Sequence, residues 1–345
     1  MMIWIRCDAN SEIGMGHMMR CLSVADALEG LGEQVCFILA DTGAQELLKD
    51  RGKDYFVLHT DYRNMEEELP VLLIKLQDEM PALLLIDSYG VTPGYFARLN
   101  GFVKTAYIDD LFMFPYQVDL LINYNIYGDT LTYKKCEQLQ DTQLLLGTSY
   151  APLRREFQNV AYEIKDKVEN VLITTGGSDQ YNLAGKILEA ALKEKALSRV
   201  RFHVVSGSYN AHYLYLEKLE KENHNICIHQ NVSDMASLMK QCDVAITAGG
   251  STMYELCAVG VPILCFSFVD NHEQIVGTFV NQKVVPFGGN YAKQGERMTG
   301  NLIKELLLLI DDKQAREEYS RREKSLVDGQ GAFRIANALW NKYHT

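Results

Sequence analysis

Residues 3–20 read IWIRCDANSEIGMGHMMR: an apolar run that stops at charged residues, a polar turn with two glycines two apart, then the start of a long helical pattern. Strand, glycine turn and helix in that order form the opening unit of a parallel sheet covered by helices. The run predicts a strand at Ile3 to Arg6 and a helix at Met18 to Gly30. Outward from it, strands are expected at Gln34 to Leu39, Leu83 to Asp87, Thr105 to Ile108 and Leu120 to Asn123. Helices fall between them at Ala44 to Lys49, Leu69 to Glu79 and Pro93 to Leu99. The alternation restarts with strands at Asn170 to Thr174, Arg201 to Val205, Ile226 to His229, Val244 to Thr247 and Ile263 to Phe266, with helices such as Asn182 to Glu194, Met235 to Gln241 and Thr252 to Ala258. The fold class is therefore α/β in two similar halves, residues 1–150 and 151–345, joined through Gly147 to Val168. A last amphipathic helix with Phe333, Ala336, Trp340 and Tyr343 at three- and four-residue steps is expected to close the second half.

Composition narrows the function classes. The chain has 345 residues, 47% hydrophobic and 23% charged with 7 prolines, which is that of a globular protein and excludes disorder as the main state. Its longest apolar runs, such as Ala82 to Ile86 and Leu306 to Ile310, are far short of the ~20 residues that cross a bilayer. Residues 1–8 lack the length and cleavage site of a secretory signal, so a cytoplasmic location is expected. Residues 1–150 hold 11 Lys and Arg against 22 Asp and Glu, so the whole net charge of −11 lies in this half. A nucleic-acid or anionic-membrane partner for it is not expected, because both need a basic footprint. Eight scattered cysteines form no C-x-x-C pair and eight dispersed histidines show no ligand spacing, so neither disulfides, nor a metal, nor a cofactor is expected.

Ligands of open α/β sheets bind at the carboxyl ends of strands, which places three glycine turns at candidate sites. The first holds Gly14, Gly16 and His17. It is not the dinucleotide pattern G-x-G-x-x-G, since position 19 is Met. A histidine at a helix N-terminus is held neutral by the macrodipole and is competent as a base, although capping or packing at a helix start accounts equally for the spacing. The others are Thr174-Thr175-Gly176-Gly177-Ser178-Asp179 and Thr247-Ala248-Gly249-Gly250-Ser251-Thr252. Both have the form of anion-binding turns, in which backbone N–H groups and the positive helix end receive a diphosphate. Glu255 either completes a capping box with Thr252 or accepts from ribose hydroxyls. Asp87-Ser88-Tyr89-Gly90 and Asp109-Asp110 end strands on the side of His17. The carboxylate pair suits a metal or acid–base work, with solvated loop acids the commoner outcome. Asp270-Asn271-His272-Glu273-Gln274 offers sugar-hydroxyl partners or simply a polar helix start.

Arg6-Cys7-Asp8-Ala9-Asn10-Ser11 through Ile13 to Cys21, with Ile86 to Gly90, Ile108 to Asp110 and Asp119 to Asn125, resembles the UDP-sugar hydrolases of pseudaminic acid biosynthesis. The likeness covers nearly the whole chain. Asn231 to Ala236, Ala248 to Glu255 and Gly260-Val261-Pro262 are similar to the UDP-binding domain of the peptidoglycan N-acetylglucosaminyltransferases. The resemblance implies two Rossmann-like domains facing across a cleft, the glycosyltransferase B architecture. It implies hydrolysis of UDP-2,4-diacetamido-2,4,6-trideoxy-β-L-altropyranose to UDP and free sugar without a metal. Carried over, His17 is the base that activates water, with Gly14 and Gly16 shaping the loop around the diphosphate and sugar, and Asp8 is a further substrate-binding candidate. Gly249, Gly250 and Ser251 hold the diphosphate, Glu255 the ribose and backbone at Val232 the uracil, while Tyr89 and Asn271 lie near the sugar; Gly176, Gly177 and Thr252 stand as substrate-binding candidates from their glycine turns. His272 departs from the family, where glutamine follows that asparagine.

A transferase, a UDP-sugar 2-epimerase and a sensor that binds without turnover are the competing readings. A transferase with a lipid-linked acceptor needs a basic, apolar face on its first domain, and the charge of residues 1–150 argues against one. The partners expected are a UDP-sugar and water, with no nucleic acid, no membrane and a monomeric chain.

Overall fold

The computed structural model describes residues 1–344 except 11, 131, 208–209 and 269–270, and leaves the side chains of residues 132, 271 and 272 undescribed. The chain divides into two compact units, Met1–Arg154 with Gln330–Thr345, and Arg155–Gly329.

The first unit is a seven-stranded sheet of β1 (Met2–Cys7), β2 (Gln34–Leu39), β3 (Asp54–Val57), β4 (Leu83–Asp87), β5 (Lys104–Ile108), β6 (Leu120–Asn123) and β7 (Gln143–Leu146), in the order β3-β2-β1-β4-β5-β6-β7. Every pairing is parallel. Helices α1 (Gly16–Gly30), α2 (Gln45–Asp50), α3 (Leu69–Glu79) and α4 (Pro93–Leu99) make the crossovers as far as β5. Central strands of such a sheet are covered on both faces, which is why β4 reads as an unbroken apolar run before Asp87 and is buried throughout. Leu72 and Leu76 of α3 and Phe96 of α4 pack on Trp4, Leu84, Ile86 and Tyr107.

The second unit has β8 (Asn170–Thr174), β9 (Arg201–Ser206), β10 (Ile226–Gln230), β11 (Val244–Ala248), β12 (Ile263–Ser267) and β13 (Phe287–Asn290), all parallel, in the order β10-β9-β8-β11-β12-β13. Its helices are α5 (Leu183–Leu192), α6 (Tyr213–Glu222), α7 (Met235–Gln241), α8 (Thr252–Val259), α9 (Asn271–Asn281), α10 (Tyr291–Gln294), α11 (Arg297–Asp311) and α12 (Lys313–Leu326). Ile187 and Leu188 of α5 and Leu302 and Leu306 of α11 close the core over Val171, Ile173, Phe202 and Ile246.

The last helix, α13 (Gly331–His344), corrects the expected division at residues 150 and 151. It belongs to the first unit and packs against α1. Its buried stripe is Ala332, Ile335, Ala336 and Leu339, whereas Phe333 is 47% exposed. Small residues win that face because the backbones approach closely: a Cβ on Gly331 would lie 2.0 Å from the Ala151 carbonyl oxygen.

One buried charged group in each unit shows two ways of meeting the cost of burial. In the first, Arg6 donates through Nε and Nη2 to Glu68, at 2.9 and 2.7 Å, and through Nη1 to Asp8, while the Tyr95 hydroxyl also donates to Glu68. In the second, Glu323 of α12 is fully buried, accepts from the Ile263 N–H at 2.9 Å, and leaves Oε2 without a partner among the described residues. Burial pushes the Glu323 carboxyl well above its ordinary pKa, against the smaller opposing effect of that N–H. The unfolded chain releases this proton near pH 4.3, so the stability contribution is whole below that pH. It is lost at about 1.4 kcal/mol per unit as pH rises toward the folded value. Glu323→Gln keeps the acceptor for Ile263 and removes the titration. The variant's urea midpoint should rise relative to the parent between pH 4 and pH 8, and a pH-independent difference would show that the carboxyl carries no such cost.

Candidate functional site

Each sheet reverses its direction of winding between two central strands, and the crevice at their carboxyl ends is where open α/β sheets bind ligands. In the first unit those strands are β1 and β4, with Cys7 level with Asp87. The loop after β1 turns on Gly14, whose φ of +74° falls in the left-handed region. Its N–H bonds the Asn10 carbonyl at 2.8 Å, and the Asn10 side chain accepts from the Glu12 and Ile13 amides. Helix α1 then begins at Gly16 with no side-chain cap, and His17 is its second residue.

His17 faces a carboxylate. Its Nδ1 is 2.6 Å from Asp87 Oδ1 and 3.1 Å from Arg20 Nη2; an ionised carboxylate can only accept, so the shorter contact assigns the ring proton to Nδ1 and leaves Nε2 to accept a proton. Arg20, one turn further along α1, donates from Nε and Nη2 to the two oxygens of Asp87, each at 2.6 Å. Its Nη1 donates to Asp110 at 3.0 Å and to the Tyr124 hydroxyl at 2.8 Å. Asp110 also accepts from the Tyr89 hydroxyl at 2.7 Å and from Asn125 at 2.8 Å. The Tyr89 ring meets His17 edge-on, with centroids 4.8 Å apart.

Burial by itself would raise the Asp87 carboxyl, but Arg20 and His17 outweigh it and hold the group well below the usual carboxylate range. Burial, then the Asp110 carboxylate, pushes the Tyr89 phenol up, so it keeps its proton and donates. His17, Tyr89, Ile13, Tyr62 and Arg63 line a pocket of about 200 Å³ that reaches Asp8 and Asp87. Tyr89 is 47% exposed, so its ring is open to a ligand although its hydroxyl is engaged.

In the second unit the winding reverses between β8 and β11, and the two glycine turns follow these strands. They differ in one respect. At the Gly176-Gly177 turn, the Asp179 carboxylate accepts from the Leu183 and Ala184 amides at 2.7 and 3.0 Å. That side chain caps the first amides of α5, and the Gly176-Gly177 pair precedes it as a turn with φ +87° at Gly176. Gly207 packs on it so closely that a Cβ there would meet the Gly177 carbonyl oxygen at 2.2 Å. At the Gly249-Gly250 turn, the Gly249 amide extends the ladder to the Phe266 carbonyl at 3.1 Å, and α8 starts at Thr252 with no side-chain cap on Ser251. Space is open above Gly250. Among the described residues, no side chain caps the first amides of this helix, in contrast to α5 with its Asp179.

Other expectations need restating. Ser251, not Thr252, is the N-cap, so Glu255 stands in the first turn one position past the place a capping box requires. Asp109 and Asp110 are buried and engaged, not solvated. Asp109 accepts from the Leu111 and Phe112 amides and from the Tyr116 and Tyr133 hydroxyls. Asp8 is held by Arg6 and by the Ala40 amide at 2.7 Å, so it ties β1 to the end of β2 at the pocket floor. Val232 lies half-buried in the turn between β10 and α7, and the Asn271 side chain lies outside the described residues. Arg20, Tyr124, Tyr62 and Arg63 went unassigned in the sequence. Arg20 at three residues past His17, on one helix face, was the signal available for the first of them.

Among the described residues, no group of His, Cys, Asp and Glu is arranged to hold a metal ion, and no helix is long and apolar enough to cross a membrane. Residues 170–332 match the glycosyltransferase family 28 C-terminal domain. The chain is 27% identical over 352 aligned positions to the spore coat polysaccharide biosynthesis protein SpsG of Bacillus subtilis, covering 99% of each. It is also 27% identical to the UDP-2,4-diacetamido-2,4,6-trideoxy-beta-L-altropyranose hydrolase of Campylobacter jejuni, covering 79% of this chain and 94% of that one. The crystal structure of Acinetobacter baumannii MurG superposes with a TM-score of 0.71 at 13% identity over 99% of both chains. The fold is that of two Rossmann-like domains of the glycosyltransferase B architecture.

Proposed function

We propose that this chain hydrolyses a UDP-activated 2,4-diacetamido-2,4,6-trideoxy sugar to UDP and the free sugar, by attack of water on the anomeric carbon with inversion. The observation that carries the reading is His17 with its proton fixed on Nδ1 by Asp87 at 2.6 Å, in a pocket at the first unit's winding reversal. Nε2 takes a proton from water as the water oxygen bonds to C1. The C1–O bond breaks and its electron pair leaves with UDP, and the second unit's nucleotide site is proposed at Gly250, Ser251 and the start of α8 at Thr252. Asp8, Gly14, Gly16 and Tyr89 shape the sugar side, while Gly249, Glu255, Val232 and Asn271 serve the nucleotide and sugar hydroxyls. The named activity of the Campylobacter relative supports the substrate class.

The family 28 match favours one second reading, transfer of the sugar to an alcohol acceptor. Incubation with UDP-sugars in H₂¹⁸O and no acceptor decides between them. Hydrolysis should release UDP and place the label in the sugar. Label in UDP would show attack at phosphorus, and UDP release only on adding an acceptor would establish the transferase. Turnover is proposed to need no divalent metal and to persist in EDTA.

Glu255, in the first turns of the uncapped helix, is proposed to accept from the ribose hydroxyls. Glu255→Ala should weaken UDP binding by about 1–3 kcal/mol, the scale of hydrogen bonds to a charged group. Calorimetry on the folded variant checks this, and unchanged affinity removes Glu255 from the nucleotide site.

A further inference from the structure

Arg20 occupies the middle of the polar cluster in the first unit, with its side chain only 10% exposed. Two of its nitrogens grip both oxygens of Asp87, and the third reaches Asp110 and the Tyr124 hydroxyl. Each carboxylate has a second duty. Asp87 faces His17 Nδ1, and Asp110 accepts from the Tyr89 hydroxyl. Guanidinium is the one side chain with a rigid fork of donors that can hold two carboxylates in fixed orientation.

We propose that Arg20 is the positioning residue of this site: one guanidinium, bonded to both Asp87 and Asp110, sets the tautomer of His17 and the hydroxyl of Tyr89 together. The inference rests on the hydrolytic reading for its kinetic arm only. Without the fork, Asp87 is free to rotate off Nδ1, and the imidazole proton redistributes between its two nitrogens. The Tyr89 ring, edge-on to His17, loses its anchor through the same change. Tyr124 contributes a further restraint, since its ring lies 5.5 Å from the guanidinium carbon.

Arg20→Lys keeps the positive charge and removes the fork, because a single ammonium cannot span both carboxylates. Two readouts apply. In ¹⁵N NMR at alkaline pH, the parent's neutral His17 should show the Nδ1–H tautomer alone, and the variant a mixture. In kinetics, kcat should fall roughly 10- to 100-fold, the scale for partners that orient an active group, with KM within about threefold. A folded variant with the parent's tautomer and kcat would overturn the proposal.

Should Arg20→Lys fail to fold, Asp110→Asn tests the other arm with the Arg20–Asp87 pair intact. It should lower kcat and leave the His17 tautomer unchanged, and an unchanged kcat or an altered tautomer would overturn the shared clamp. If the parent releases no UDP from any sugar nucleotide, the hydrolytic reading falls, while the tautomer measurement still decides the role of Arg20.

Discussion

Replacing His17 by alanine should lower kcat by ~10²- to 10⁴-fold, the usual contribution of a general base, and leave UDP affinity by calorimetry within about twofold. At about 1.36 kcal/mol per decade this is roughly 3 to 5 kcal/mol of transition-state stabilisation. The loss should fall on kcat because the imidazole acts on the proton that leaves water, a bond that changes in the transition state and not on binding. The variant should fold, since Asp87 keeps both oxygens on Arg20 when the ring is removed. A His17→Ala enzyme within about threefold of the parent in kcat would leave the histidine as a packing residue at a helix start, the bland account of its spacing.

The strands that position His17 and Asp87 were legible because they lie at the centre of their sheet. β1 and β4 are covered on both faces, and the chain there is a continuous apolar run ending at a charge. The strands the sequence concealed, β3, β7 and β13, are all at sheet edges. β3 begins with exposed Asp54 and its remaining residues are only partly buried, so no core pattern marks it. β13 contains Gly288, where a Cβ would meet Leu302 Cδ1 at 2.3 Å; its composition answers to the packing of α11 and not to strand propensity.

At the site the division is between local and distant chemistry. His17 announces itself by its place beside two glycines and a helix start. The partners that give it a function, Asp87 for its tautomer and Arg20 to hold Asp87, are a strand and a helix face whose meeting spans 67 residues. The two glycine turns of the second unit looked alike for the same reason. What separates them is the Asp179 side chain folding back onto the Leu183 and Ala184 amides, where the other turn has Thr252 at the matching place.

Asp87→Asn isolates the carboxylate's contribution and should cost kcat ~10²- to 10⁴-fold, close to the loss on removing His17 itself. An amide next to Arg20 must turn its oxygen toward the guanidinium donors, which leaves its NH₂ facing His17 Nδ1. That nitrogen then has to accept, the ring proton moves to Nε2, and the nitrogen meant to receive the water's proton is already occupied. The same change removes a negative charge that stabilises the imidazolium formed during turnover. Because both substitutions abolish one proton transfer, their effects should not multiply: the double variant His17→Ala with Asp87→Asn should be no slower than the slower single variant within about threefold. Losses that multiply would show that Asp87 acts on the reaction by a route other than His17. Stability gives an independent check on the geometry. Arg20 and His17 hold the Asp87 carboxyl below its unfolded pKa, so its contribution is present above about pH 3.9 and is lost as pH falls through the folded value. The asparagine variant should be less stable than the parent at neutral pH, and the gap in urea midpoint should narrow in acid, where the parent's carboxylate takes up its proton.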